Sequence, residues 1–435
     1  MELLNATQQD LGPRIVRQDI DSEGPYQVHP EYVTQYPETV INALGNLYAE
    51  YNSAFTRVLG DNSEWTTDYQ YCFDHYGQPI NYFVQIDMVA LEEEFLEYSK
   101  TAPEEDVREH LRRSIFEIEN SLAKYNLLSR IFDDGYNPTY FGNEFRAGLS
   151  DLRERFGKPI ALLAVTEPKY EAMKVSELGL GIDDTVTNDH VYSATGFDTF
   201  LGPQNYRELV KNGWQNEYLY FARTSQPIAN LRKPGSMMVE SLLDDPYYRQ
   251  QIRANTVTLN IDDPEWGIGD RRKINDTKIY IPLMGMGIEV SSIDELAPDS
   301  EKLLRLLYEH GYDLNNTDTR EIMLRAKPFD DSYGCYGHVR GRARDKEFKQ
   351  NLKRGLRERG RYIIQPEYIT PTIVDSASGT GYTYIDRNFF SFTAGRPIFM
   401  GGFRSLMPID TMEAKKGRIH GNGSTVWSPI YPESY

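Results

Sequence analysis

Basic residues, glycines and a glutamine follow one another in an ordered way through the last quarter of the chain. Lys327 closes the apolar run MLRAKPF, and the stretch DDSYGCYGHVRG just beyond it supplies Gly334 and Gly337. Activating a carboxylate with ATP needs such parts: a backbone-rich loop for the triphosphate, Lys or Arg to neutralise it, and carboxylates to hold Mg²⁺. A glycine loop alone is a weak sign, because hairpin turns use the same residues. Gln365 lies in YIIQPEYI at the end of an apolar strand, where backbone could meet an adenine edge. Asp386, Arg387 and Arg404 follow on two further strands. Arg404 sits in FMGGFRSL, where flanking glycines would let a guanidinium reach a phosphate. Taken singly, each basic residue is more often solvated or ion-paired. Their order is what gives the set its meaning.

The chain that must position them has 435 residues, 40% of them hydrophobic, enough for one large core or two to three smaller ones. Its formal charge of −18 argues against broad contact with nucleic-acid phosphates or anionic lipid. MELLNATQQDLGPRIVRQD has no apolar core behind positive residues, and no stretch approaches the roughly 20 apolar residues that span a bilayer, so a cytoplasmic protein is expected. Cys72 and Cys335 are the only cysteines, too few for a disulfide framework or a thiol zinc site, and the seven histidines form no HExxH or HxH pair.

Hydrophobic spacing predicts a buried helix from Val40 through VINALGNLYAEYNSAFTRVL. INYFVQIDMVAL, the acidic EEE and FLEYSKTAP predict a β-hairpin closed by Pro103, with a helix through ALEEEFLEYSK as the alternative. Val107, Leu111, Ile115, Ile118 and Leu122 predict one amphipathic helix from Glu104 to about Phe132. The helix FRAGLSDLRERFG then leads into the strand PIALLAV, and strand, helix and strand alternate to about Arg223 in a Rossmann-like pattern. Beyond Met323 the chain is expected to be β-rich, in MLRAKPF, YIIQPEYI, YTYIDRNFFSF and RPIFMGGFRSL.

The order KPF, glycine loop, YIIQPEYITP, GGFR and GNGSTVWSPI resembles the C-terminal half of the glutathionylspermidine synthetase family, which are circularly permuted ATP-grasp ligases. The likeness is diffuse and runs over about residues 80 to 430. It implies an α/β (α+β) ATP-grasp fold with a Rossmann-like pre-ATP-grasp lobe. The expected division is 1–156 for the N-terminal helix and permuted metal-binding hairpin, 157–226 for the lobe, and 227–435 for the nucleotide-binding subdomains. The resemblance implies ATP and Mg²⁺ as cofactors. Asp87 and Glu97 would bind the metal from facing strands of the hairpin, Lys327 and Arg404 would hold phosphates and stabilise an acyl-phosphate transition state, Ser332, Gly334 and Gly337 would close over the nucleotide, and Gln365 would line its pocket.

The implied activity is ATP-dependent ligation of a small-molecule or peptide carboxylate to an amine. The chain departs from the family at three places: Gln85 stands for an arginine, Ser99 for an asparagine, and Met237 and Met238 fill a segment that carries a nucleotide-binding lysine. Arg232, Lys233 or Arg325 could substitute from nearby. Losing such contacts favours an alternative, a catalytically impaired relative that binds a nucleotide, a peptide or a protein partner. The 31 tyrosines also admit a structural or assembly role.

Overall fold

The computed structural model describes residues 7–9, 15–17, 26–29, 32–60, 82–119, 140–164, 197–223, 242, 245–255, 287–328, 338–367, 370–410 and 425–434. Four short strands open the chain, β1 (Thr7–Gln9), β2 (Ile15–Arg17), β3 (Tyr26–Val28) and β4 (Thr34–Tyr36). Helix α1 (Glu38–Gly60) follows, with Val40, Leu44, Leu47, Tyr48 and Tyr51 buried along one face at helical spacing. Strand β5 (Phe83–Val89) is buried on both faces over most of its length.

Two predictions made for the next segment are corrected. The expected hairpin does not form: residues after Leu91 enter helix α2 (Glu93–Ser99), which is the alternative noted above. Glu93 and Glu94 occupy its first turn, where acidic side chains favour a helix. Leu96 is buried, and the Ser99 hydroxyl donates to the Leu96 carbonyl at 2.7 Å. The long amphipathic helix ends early. Helix α3 (Glu104–Ser114) passes directly into strand β6 (Ile115–Glu119), which pairs antiparallel with β5. Ile115 and Ile118 fit a helical stripe and a strand equally well, and the open edge of β5 decides between them. Residues 120–132 of that expected helix lie outside the described residues.

Helix α4 (Tyr140–Phe156) ends at Gly157, whose φ of +62° is one that side-chain-bearing residues rarely adopt. Strands β7 (Ile160–Ala164) and β8 (Thr199–Leu201), helix α5 (Pro203–Lys211), strand β9 (Leu219–Arg223) and helix α6 (Pro246–Ala254) come next. The three strands form a parallel sheet in the order β8-β7-β9. On β7, Ile160 and Leu162 join one apolar cluster while Ala161 and Leu163 join another, the two-faced burial expected of PIALLAV.

A four-stranded antiparallel sheet follows, built from β10 (Ile288–Val290), β11 (Met323–Pro328), β12 (Val339–Arg342) and β13 (Tyr362–Pro366) in the order β10-β13-β11-β12. Helices α7 (Glu301–Glu309) and α8 (Lys346–Arg359) cover one of its faces through Leu303, Leu306, Leu307, Phe348 and Leu352.

The chain then returns to the first sheet with β14 (Thr372–Asp375), β15 (Gly381–Ser391), β16 (Ile398–Pro408) and β17 (Val426–Pro432). β15 pairs with β5 on one side and β16 on the other, so strands from both ends of the chain make one mixed sheet of ten described strands. Helices α1, α2 and α3 pack on one face of it, against Val84, Ile86 and Met88. Helix α4 and the parallel sheet pack on the other, against Phe83, Phe389 and Phe403. With a parallel, an antiparallel and a mixed sheet, the architecture is α+β. Among the described residues no helix is long and apolar enough to cross a membrane.

The turn from β15 to β16 carries the one non-glycine residue of positive φ among those described, Ala394 at φ 51° and ψ 33°. Its amide donates to Asp151 Oδ1 at 3.2 Å, and Asp151 Oδ2 also accepts from Tyr82 at 2.7 Å, which ties the turn to α4. A left-handed alanine costs about 1–2 kcal/mol. Ala394→Gly is therefore expected to raise stability by about 0.5–1 kcal/mol after glycine's own entropic cost, read as a higher unfolding midpoint. A lower midpoint would contradict this account of the turn.

Candidate functional site

Side chains alternate across a strand, so the four-stranded sheet has two distinct faces. Leu324, Ala326, Tyr362 and Ile364 point to the apolar cluster under α7 and α8. The opposite face carries Arg325 and Lys327 of β11, Ile363 and Gln365 of β13, Glu289 of β10 and Arg340 of β12. The register sets Lys327 beside Ile363, which in turn faces Glu289, and sets Arg325 between Gln365 and Arg340. Lys327 and Gln365 thus lie diagonally on one face of neighbouring strands. Lys327 is 8% exposed and Gln365 2%, although the core of this unit is on the other side.

A close approach defines the rim of this face. A Cβ on Gly287 would stand 2.2 Å from Ile363 Cγ2 and 3.1 Å from Gln365 Cγ, so only glycine lets the backbone lie against these side chains. Arg325 Nη2 is 3.3 Å from His338 Nδ1, and Arg340 Nε donates to Glu367 Oε2 at 2.6 Å. Ser332, Gly334 and Gly337 lie outside the described residues.

Arg404 is elsewhere, and its surroundings differ from those expected. On β16 it is registered against Asp386 of β15, which faces Met88 of β5, so it lies on the α1 side of the large sheet. Its Nε donates to Asp386 Oδ1 at 2.7 Å, and its Nη2 donates to Asp386 Oδ2 at 2.9 Å and to the Leu91 carbonyl at 2.8 Å. The Tyr36 hydroxyl and the Leu91 amide also donate to Asp386 Oδ2, at 2.7 and 3.0 Å. The Tyr384 ring stacks 4.7 Å from the guanidinium carbon. Burial works against the charge of Arg404, but the facing Asp386 carboxylate outweighs it and holds the guanidinium well above its ordinary pKa. Burial, with the Asp386 charge second, pushes the Tyr36 hydroxyl well up.

The glycines before Arg404 also serve packing. A Cβ on Gly401, which has φ +91°, would meet Phe141 Cε1 at 2.5 Å, and one on Gly402 would meet the Arg387 carbonyl at 2.4 Å. They bring β16 against α4 and β15.

The pair Asp87 and Glu97 is not assembled. Asp87 is on the opposite face of the same sheet from Arg404, where Arg387 Nη2 lies 3.3 Å from its Oδ2 and Gln85 Nε2 donates to its Oδ1 at 2.8 Å. Both charged side chains are almost fully buried, at 4% and 2% exposure. The Phe403 ring lies 5.7 Å from the Arg387 guanidinium carbon. Glu97 is on α2, 71% exposed, and accepts from Lys100 at 2.6 Å, while Lys100 also reaches Glu433 at 2.9 Å. Because the segment is helical and not a second hairpin strand, Glu97 does not face Asp87. The strand that does is β6, whose backbone sets Glu117 opposite Asp87 and Glu119 opposite Gln85. Their signal was the alternation IFEIE, hidden inside an apparent helical stripe.

No protein-family model matches the chain. No curated protein matches it either. Among solved structures it is similar to a glutathione synthetase-like effector from Globodera pallida in its apo form, at 9% identity and a TM-score of 0.34, over 98% of this chain and 92% of the other. A likeness that slight decides neither fold nor function.

Geometry therefore has to carry the chemistry. The Lys327 and Gln365 face offers a cation, an amide and an apolar floor at Ile363, with Gly287 keeping the neighbouring backbone close. That donor set fits a nucleotide: an ammonium for phosphate, an amide for a base edge. The Mg²⁺ implied by the resemblance does not fit the described residues at Asp87. A divalent ion there would lie against the Arg387 guanidinium, and among the described residues no three His, Cys, Asp or Glu side chains form a metal-binding group.

Proposed function

We propose that this chain is a nucleotide-binding protein on a circularly permuted ATP-grasp plan, with its ligase chemistry impaired. The observation that carries the reading is the shared, buried polar face of Lys327 and Gln365 on an antiparallel sheet whose core lies on the other side. The permuted plan is supported by β5, which precedes that sheet in sequence yet pairs with β15, which follows it. Lys327 would hold a phosphate of ATP, Gln365 would meet the base edge, and Ile363 would form the floor beneath them. Bound ATP would supply the phosphoryl group that activates a carboxylate in a working ligase.

Ligation of a carboxylate to an amine would also need an arginine at the transferred phosphate and carboxylates open to a metal. Arg404 is tied to Asp386 and Leu91, and Asp87 to Arg387 and Gln85, which is why the impaired reading is preferred. The test is unfolding with and without ATP, coupled to an assay for ADP release over a panel of amines and carboxylates. ATP at a hundred times its dissociation constant is expected to stabilise the chain by about 2.7 kcal/mol, with no substrate-dependent ADP release. The absence of any shift at millimolar ATP sinks nucleotide binding. ADP release that requires both an amine and a carboxylate restores the ligase reading.

A further inference from the structure

The buried ion pair on the α4 side of the large sheet has a consequence for metal binding. Asp87 is registered against Arg387 on one side and Glu117 on the other, so the backbone lines up two acidic positions and one arginine in a row across β6, β5 and β15. Arg387 is buried with Asp87 and lies over the Phe403 ring, so its guanidinium is held out of solvent beside the carboxylate. Gln85, two residues before Asp87 on the same face, holds the second carboxylate oxygen with its amide. A neutral amide there adds no charge, which leaves Arg387 as the counter-charge that the described residues supply.

We infer that the Arg387 guanidinium is a built-in cation standing where a divalent metal would have to lie against Asp87, so that this site takes no metal. A guanidinium and a divalent ion cannot share one buried carboxylate without strong repulsion at this spacing. The arginine also presents planar, directional donors that hold a carboxylate in place as a hydrated ion does not. The inference extends beyond nucleotide binding, because it concerns Asp87 whether or not ATP binds elsewhere.

The test is titration of Mn²⁺, without nucleotide, into the full chain, with free Mn²⁺ followed by electron paramagnetic resonance. The wild type is compared with Arg387→Met and with the neutral pair Asp87→Asn/Arg387→Gln. The neutral pair leaves no lone buried charge, so it keeps the comparison available if Arg387→Met does not fold. The wild type and the neutral pair are expected to bind the same number of Mn²⁺ ions with the same affinity, and Arg387→Met to gain one ion at least tenfold more tightly held. One more Mn²⁺ on the wild type than on the neutral pair overturns the inference, and so does a folded Arg387→Met that gains none. A second arm measures the shift given by ATP in EDTA and in excess magnesium. Both are measured on the wild type and on the neutral pair: a magnesium effect equal in the two agrees with the inference, and one that the neutral pair loses opposes it. If ATP gives no shift at all, nucleotide binding has failed and the Mn²⁺ comparison still decides the role of Arg387.

Discussion

Replacing Arg404 with methionine is expected to destabilise the chain by about 3–5 kcal/mol, because it leaves the Asp386 carboxylate buried without its counter-charge. Asp386 is fully buried and takes two bonds from the guanidinium; the Tyr36 hydroxyl and the Leu91 amide remain, and neither carries a charge. The same arginine closes the chain after β5 through the Leu91 carbonyl, so the start of α2 should loosen with it. Arg404→Met/Asp386→Leu, which removes both charges, should cost clearly less than Arg404→Met alone. Urea unfolding of the three proteins gives the comparison. A loss below about 1 kcal/mol in Arg404→Met would mean that the arginine is exchangeable, as a phosphate ligand waiting for its substrate would be.

The second large effect is on binding. Lys327→Met is expected to weaken ATP binding roughly 10- to 100-fold, the worth of one charge-assisted contact to phosphate of about 1.5–3 kcal/mol. Lys327 sits near the end of β11 and faces away from the apolar cluster, so methionine leaves that cluster intact, and binding is read on protein shown to be folded. Gln365→Ala should weaken binding less, by about 0.5–1.5 kcal/mol, since a neutral amide contributes an ordinary hydrogen bond. Unchanged affinity in a folded Lys327→Met would remove the β11 and β13 face from the account. Equal losses in both variants would instead point to a disturbed sheet.

These effects divide the sequence candidates by physical setting. The strands that carry Lys327 and Gln365 were legible, because both apolar runs became the strands expected of them, β11 and β13. The same was true of the strands holding Arg404 and Asp386, but not of their role. Whether Arg404 meets a phosphate or a carboxylate depends on which residue of β15 stands beside it, and a register is set by the whole sheet. The two glycines before it looked like an opening because close packing and ligand access ask for the same residue.

The expected pairing of Asp87 with Glu97 failed for a related reason. ALEEEFLEYSK has the spacing of a strand pair or a helix, and the acidic first turn with the buried Leu96 decides for α2. Beyond it, Val107, Leu111, Ile115 and Ile118 keep one helical stripe across what is in fact the end of α3 and the start of β6. No local signal separates them, since the chain becomes a strand at Ile115 by pairing with Met88 of β5. By contrast α1, α4 and β7 were visible, because long periodic or doubly buried runs leave one structure open to them.

The most direct test of the central claim is photolabelling of the full chain with 8-azido-ATP, followed by peptide mapping. The account predicts label within residues 323–328 or 362–367, abolished by excess ATP and reduced in Lys327→Met. Label confined to peptides of β5, β15 or β16, or label that ATP does not displace, would contradict it.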